Sequence, residues 1–153
     1  MQEPQFTQSR DAFSMTCRVT VTVRASAGRI WGLLTDAQGF SRWNSTVTAI
    51  DGDIREGQQL RLHVPGTSRA FAPRVMDVVP DSRMSWVGGF TPIFKGVRTF
   101  ELAPNADGST EFAMQERFSG LMMPFIKSSL PDFSPIFVRF ASDLKREAER
   151  VGA

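Results

Sequence analysis

The sequence predicts an α+β domain in which an antiparallel sheet is followed by a long C-terminal helix. Three observations carry that prediction. Residues 17–24, CRVTVTVR, alternate between apolar and polar positions, as a strand with one wet face does. Further short alternating segments follow, joined by turn-rich stretches, and consecutive strands with short turns pair antiparallel. From Ser119 onward the apolar spacing changes to threes and fours, the period of a helix. Helices segregated from strands give α+β architecture.

A chain of 153 residues suits one domain with a sizeable core. Residues 1–12 read as a flexible N-terminal arm and residues 13–153 as the domain. In the first strand Cys17, Val19, Val21 and Val23 share one face, and Arg18, Thr20, Thr22 and Arg24 share the other. Ser26 then suits an N-cap for a short helix carrying Ile30, Trp31, Leu33 and Leu34. Asp36, Gly39 and Ser41 break that pattern before a second short helical turn at Phe40 and Trp43. Strands follow at Thr46–Ile54, Gln58–Val64, Arg69–Val79 and Arg83–Val87, with Pro73 marking an edge or a bulge in the third of these. Gly88–Gly96 reads as a loop with apolar tips at Phe90, Ile93 and Phe94. Two strands, VRTFELA and STEFAMQERF, are joined by the hairpin turn PNADG.

The tail places Phe118, Leu121, Met122, Phe125, Ile126, Leu130, Phe133, Phe137, Phe140, Ala141, Leu144 and Ala148 on one helical stripe. Pro124, Pro131 and Pro135 interrupt it, with a break expected near residues 128–130. Unbroken, such a helix would reach roughly 45 Å at 1.5 Å per residue, longer than a small domain is wide. The break lets it follow a curved sheet whose apolar face carries Val19, Val21, Val23, Leu60, Leu62, Val64, Phe100, Leu102, Phe112 and Met114. Two readings stand: the stripe and this face form a packed core, or they enclose a ligand cavity.

One charge pair bears on that choice. A hairpin centred near Asp107 sets residue 102 against 112, 100 against 114, and Arg98 against Glu116. By parity the pair shares the face of Phe100, Leu102, Phe112 and Met114. Two charges in a dry core cost desolvation, so an inner position implies a hydrated or ligand-filled interior. If the strands end there, the pair sits at a wet rim. A slip of one residue in register would turn it outward.

Other features exclude function classes. The net charge is +2 with no run of like charge, against a nucleic-acid partner. The single cysteine, Cys17, forms no intramolecular disulfide and fits a reduced, cytoplasmic setting. Cys17 and the one histidine, His63, fall short of a metal site. Parity places His63 on the surface and Cys17 in the core. No secretory signal, no run of about 18 apolar residues, no nucleophile triad spacing and no phosphate-cradling glycine loop occurs. No metal or cofactor is expected. The absence of tyrosine removes one common acid.

The order of elements and three phrases, IWGLLTDAQGFSRWN (Ile30 to Asn44), VMDVVPDSRMSWVGG (Val75 to Gly89) and GVRTFELAPNADGSTEFAMQERFSG (Gly96 to Gly120), resemble the SRPBCC superfamily. That group includes START-like lipid-transfer domains, polyketide cyclase/dehydrase-like proteins and the birch-pollen allergen type. The resemblance spans roughly residues 15–150. It implies a helix-grip fold: a seven-stranded antiparallel sheet curved around a long C-terminal helix, with two short helices after strand one and a cavity between sheet and helix. The implied ligands are small and apolar, such as lipids, sterols or polyketides. Many members carry histidine where this chain has Arg98, and cyclase-type members often use a tyrosine, which this chain lacks.

The first functional expectation is therefore binding, or transport, of a small apolar molecule. Its cavity would be lined by Phe71, Trp86, Phe100, Met114, Leu121, Met122, Phe125, Ile126, Phe133 and Phe137, with Arg98 and Glu116 orienting a polar head. A second is a cyclase or dehydratase using Glu116 as base and Arg98 as oxyanion partner. A third is a partner-binding module built on FTPIF and the helix end. The oligomeric state is not legible.

Overall fold

The computed structural model describes residues 3–68 and 70–150, and of Phe90 the backbone alone. The chain runs β1 (Gln5–Asp11), β2 (Ser14–Val23), α1 (Ala27–Leu34), α2 (Phe40–Trp43), β3 (Ala49–Asp51), β4 (Arg61–His63), β5 (Arg74–Val79), β6 (Arg83–Phe90), β7 (Phe94–Pro104) and β8 (Thr110–Ser119). It ends with α3 (Met123–Ile126), a 3-10 turn (Lys127–Ser129) and α4 (Ser134–Ala148). This is the α+β helix-grip architecture that the sequence predicts. Six strands form one antiparallel sheet in the order β1-β2-β8-β7-β6-β5. Strands β3 and β4 pair with each other, and bridges Gln59–Arg74 and Leu62–Phe71 tie this pair and the residues just before it to β5 and the segment leading into it.

Among the described residues there are eight strands where seven are expected, and the extra one lies in the expected N-terminal arm. Gln5–Asp11 pairs with β2 along its whole length. It escapes a periodicity reading because it is an edge strand exposed on both faces, apart from the half-buried Phe6. That ring meets Phe137 edge-on at 5.7 Å. The arm's first two residues, Arg69 at the start of the expected third mid-chain strand, and residues 151–153 lie outside the described residues. Two of the mid-chain strands are also shorter than expected, with three residues each in β3 and β4.

Strand alternation places the core. Met15, Cys17, Val19, Val21 and Val23 of β2 are buried, as are Phe100 and Leu102 of β7 and Phe112 and Met114 of β8. Leu60, Leu62, Met84 and Trp86 continue the same inner face. Helix α4 lies across it and buries Phe137, Phe140, Ala141, Leu144 and Ala148. Phe140 sits at the hub: its ring centroid lies 5.9–6.3 Å from those of Phe40, Trp43, Phe100 and Phe112. Ser26 caps α1, its hydroxyl accepting the Arg29 N–H. The Arg29 guanidinium donates to the carbonyls of Glu147 and Ala148, which are among the orphan acceptors at the end of α4.

The apolar loop expected over Gly88–Gly96 is a hairpin instead. Gly89 pairs with Lys95 and Phe90 with Phe94, leaving Thr91, Pro92 and Ile93 as the turn. Gly89 has φ of +90°, and a Cβ there would collide with the Phe94 carbonyl oxygen. The close approach of the two strands therefore needs glycine.

Candidate functional site

The β7–β8 register is the one the sequence predicts, with Leu102 opposite Phe112, Phe100 opposite Met114 and Arg98 opposite Glu116. The last pair is an ion pair on the inner face. Arg98 Nε donates to Glu116 Oε1 at 2.7 Å, and Arg98 Nη2 reaches the same oxygen at 2.7 Å. Each side chain keeps 18% of its exposure, so the pair is neither a dry core pair nor a free surface one. The two alternatives from sequence merge: the pair points inward, close to the end of the sheet. That end is set by the register Ser14–Ser119–Lys95, beyond which the β1–β2 turn, the β6–β7 turn and the start of α3 follow.

Aromatic rings surround the pair. The Arg98 guanidinium carbon lies 5.4 Å from the Phe137 ring centroid and 6.0 Å from that of Phe140, within range of a cation–π contact. Phe118 stacks between Phe94 at 6.1 Å and Phe133 at 5.2 Å. Both contacts of Glu116 with Arg98 use Oε1, and Oε2 faces Gly96. Across β6, Trp86 is the register partner of Arg98. Its indole N–H is buried and has no hydrogen-bond acceptor among the described residues. On the other side Cys17 of β2 is the partner of Glu116. Burial, and then the Glu116 carboxylate, push its thiol up to about 11, so it is an inert core thiol rather than a nucleophile.

The structure divides the expected lining residues into three groups. Trp86, Phe100, Met114 and Phe137 are fully buried and packed against other core rings. Ile126 and Phe133 are half-buried near the ion pair's end of the sheet. Phe71, Leu121, Met122 and Phe125 are exposed and line no interior. Phe71 lies outside the strands, in the segment before β5 that bridges to Leu62, and the tail is responsible for the other three. It is not one helix from Ser119: β8 continues to Ser119, Gly120 turns with φ of +129°, and α3 starts only at Met123. Each break resets the helical phase, so Met123, absent from the expected stripe, is the residue that is buried. The break near 128–130 does occur, with the chain extended at Leu130 before α4 begins.

Sequence reading also missed Asp143. It is buried on α4 and accepts the Ser45 N–H and hydroxyl at 2.8 and 2.7 Å and an Arg146 N–H at 2.8 Å. Its position next to the apolar stripe is the only signal in the sequence, and its partner Ser45 is remote along the chain. His63 is at the surface as expected, 3.0 Å from Asp51.

At the open end a surface groove of about 290 Å³ is lined by Phe13, Thr91, Pro92, Lys95, Ser119, Gly120 and Leu121. A second, of about 220 Å³, lies between Arg18, Glu101 and Glu111 on the outer face. Among the described residues no group of three or more His, Cys, Asp or Glu side chains is placed to hold a metal ion. Among the same residues no helix is long and apolar enough to cross a membrane.

No curated protein sequence matches this chain. Solved structures do. A conserved protein of unknown function from Enterococcus faecalis is 17% identical, with a TM-score of 0.68 over 97% of this chain and 80% of its own. Norcoclaurine synthase from Thalictrum flavum, solved with dopamine and hydroxybenzaldehyde, is 14% identical, with a TM-score of 0.68 over 92% of this chain and 89% of its own. DynU16, from the dynemicin biosynthetic locus, is 21% identical, with a TM-score of 0.69 over 92% of this chain and 48% of its own. These likenesses establish the fold. The sequence itself matches, over residues 14–149, the family described as polyketide cyclase / dehydrase and lipid transport. That match supports a ligand-binding or cyclase-like role. The chain belongs to this family, within the SRPBCC superfamily, and has its helix-grip fold.

Proposed function

We propose that the protein binds one small, largely apolar molecule of the lipid, sterol or polyketide kind. Its place is the mouth of the grip, beneath α3, the 3-10 turn and the first turn of α4. The deep interior is not that place, because Phe40, Trp86, Phe100, Phe112 and Phe140 already fill it with ring contacts. The observation that carries the reading is the Arg98–Glu116 pair, held on the concave face among Phe118, Phe133 and Phe137. Packing alone has no use for it, since an apolar pair of similar volume would avoid the desolvation cost.

The pair is neutral overall. It suits a ligand head that both donates and accepts hydrogen bonds, such as a hydroxyl or an enol, better than a second full charge. In this reading Glu116 Oε2 accepts from the head group and the Arg98 guanidinium donates to it. Half-buried Ile126, Leu130 and Phe133 supply apolar wall for the rest of the molecule. This is the usual composition of a small-molecule site: apolar walls with a few placed polar groups.

Native mass spectrometry of the purified protein, with solvent extraction of whatever accompanies it, tests the reading. A co-purifying apolar compound, lost from the Glu116→Gln and Arg98→Met proteins, is the expected result. A protein that arrives empty and ignores a panel of apolar fluorescent probes would overturn it.

A cyclase or dehydratase reading has one specific support: Glu116 Oε2 carries no hydrogen bond among the described residues and so is free to take a proton. Under that reading Glu116→Gln abolishes turnover of a bound polyketide while leaving its binding mostly intact. Equal loss of both returns the site to simple binding.

A further inference from the structure

The open end of the grip carries a second feature that ligand binding does not use. Phe13, Ile93, Leu121 and Met122 are 40–55% exposed and Phe125 is 77% exposed. They come from three separate turns that hydrogen bonds hold side by side: Gly120 N–H donates to the Phe13 carbonyl, Leu121 N–H to Pro92 and Met122 N–H to Ile93. Cations flank them. Lys127 donates to the Asp11 carbonyl at 2.7 Å, Lys95 lines the adjacent groove, and Arg10 and Arg117 lie within two residues of the same strand ends. Asp11 and Asp132 are the carboxylates nearby, and Asp11 is engaged by the Ser14 hydroxyl and the Phe13 N–H.

We propose that this end docks on an anionic lipid bilayer, with Phe125, Leu121, Met122 and Ile93 entering the interfacial layer and the four cations meeting the headgroups. The inference stands apart from the ligand reading. Charge argues for a bilayer over a folded partner, because Lys95, Lys127, Arg10 and Arg117 ring the apolar patch while the carboxylate of Asp11 is already engaged. The five apolar side chains offer roughly 500 Å² to insert, taking about 200 Å² for a fully exposed large side chain. A bilayer needs no shape complement, and apolar insertion adds to the attraction between basic residues and acidic lipid.

Cosedimentation with large unilamellar vesicles tests this. One set is pure phosphatidylcholine; the other is a 7:3 mixture of phosphatidylcholine and phosphatidylglycerol, taken as about 30% anionic lipid. The expected result is binding to the mixed vesicles about tenfold stronger or more than to the neutral ones, since two engaged cations suffice for that ratio. High salt should weaken it. Phe125→Glu should lower it by about tenfold, with an unchanged circular dichroism melt because the side chain is exposed. Val79→Glu, at an exposed residue beside the opposite β5–β6 turn, should retain it. No sedimentation of the wild-type protein would overturn the proposal, as would equal losses in the two variants. A dimer seen by light scattering and dispersed by Phe125→Glu would overturn it in favour of a second copy of the chain.

Discussion

The Arg98–Glu116 pair allows stability and function to be separated in one set of variants. Charges about 4 Å apart attract by about 4 kcal/mol at an effective dielectric of about 20. Desolvation of both groups takes back part of this. The net coupling should be about 2 kcal/mol, between the 0–1 of an exposed pair and the roughly 3–5 lost on breaking a fully buried one; the 18% exposure of each partner places it there. Glu116→Leu and Arg98→Met should each cost about that much, because each leaves its partner uncompensated among Phe118, Phe133 and Phe137. In a domain of this size 2 kcal/mol is roughly a 4–8 °C fall in Tm. The apolar double variant, Arg98→Met with Glu116→Leu, should recover most of that stability or exceed the wild type. It should nevertheless lose affinity for an apolar ligand with a hydroxyl head. Urea melts of the four proteins give the coupling energy, and probe titration of the same four gives the affinities. A coupling under about 0.5 kcal/mol would mean that the pair is solvated at the rim. A double variant that binds as well as wild type would mean that the pair does not read the ligand.

Four further outcomes follow from other parts of the molecule. Asp143→Ala strips the Ser45 N–H and hydroxyl of a buried acceptor and should cost about 2–3 kcal/mol in a urea melt, with Asp143→Asn costing less. Gly89→Ala puts a Cβ against the Phe94 carbonyl at positive φ; it should lower Tm by several degrees, and no loss would mean that the hairpin closes differently. Cys17 should resist a thiol reagent at pH 8 until urea unfolds the chain. Its folded value of about 11 lies above the ordinary one near 9. The stability it contributes is therefore present below pH 9 and lost as pH rises toward 11, where the unfolded chain ionises first; flat stability across that window would contradict the assignment. Burial works against ionisation of Glu149, yet the Arg24 N–H and Lys145 hold its carboxyl below the ordinary value. Its contribution should be present above that ordinary value and fade as pH falls through the lowered one. In an acid titration Glu149→Gln should remove that part of the slope.

The β7–β8 hairpin was legible in detail because its turn residues fix the register and the period of two then assigns every side chain to a face. From PNADG alone, Arg98 could be set against Glu116 and both turned inward. The tail was legible only in part, for the opposite reason. A helical stripe propagates phase from residue to residue, and each interruption resets it. Gly120 and the extended stretch at Leu130 and Pro131 break the tail into the end of β8, α3 with its 3-10 turn, and α4, so a stripe extrapolated through them put Leu121, Met122 and Phe125 inside and missed Met123. Strand β1 was hidden because an edge strand wet on both faces leaves no alternation to read. Asp143 was hidden because its meaning depends on Ser45, which sequence spacing cannot bring to it. The misplaced residues are also the informative ones. An apolar stripe that fails to reach the core leaves Leu121, Met122 and Phe125 on the surface at the end of the grip where Arg98 and Glu116 face inward. The exposure of those three beside Lys95 and Lys127 is the ground of the bilayer proposal, while the inward Arg98–Glu116 pair is the separate ground of the ligand proposal.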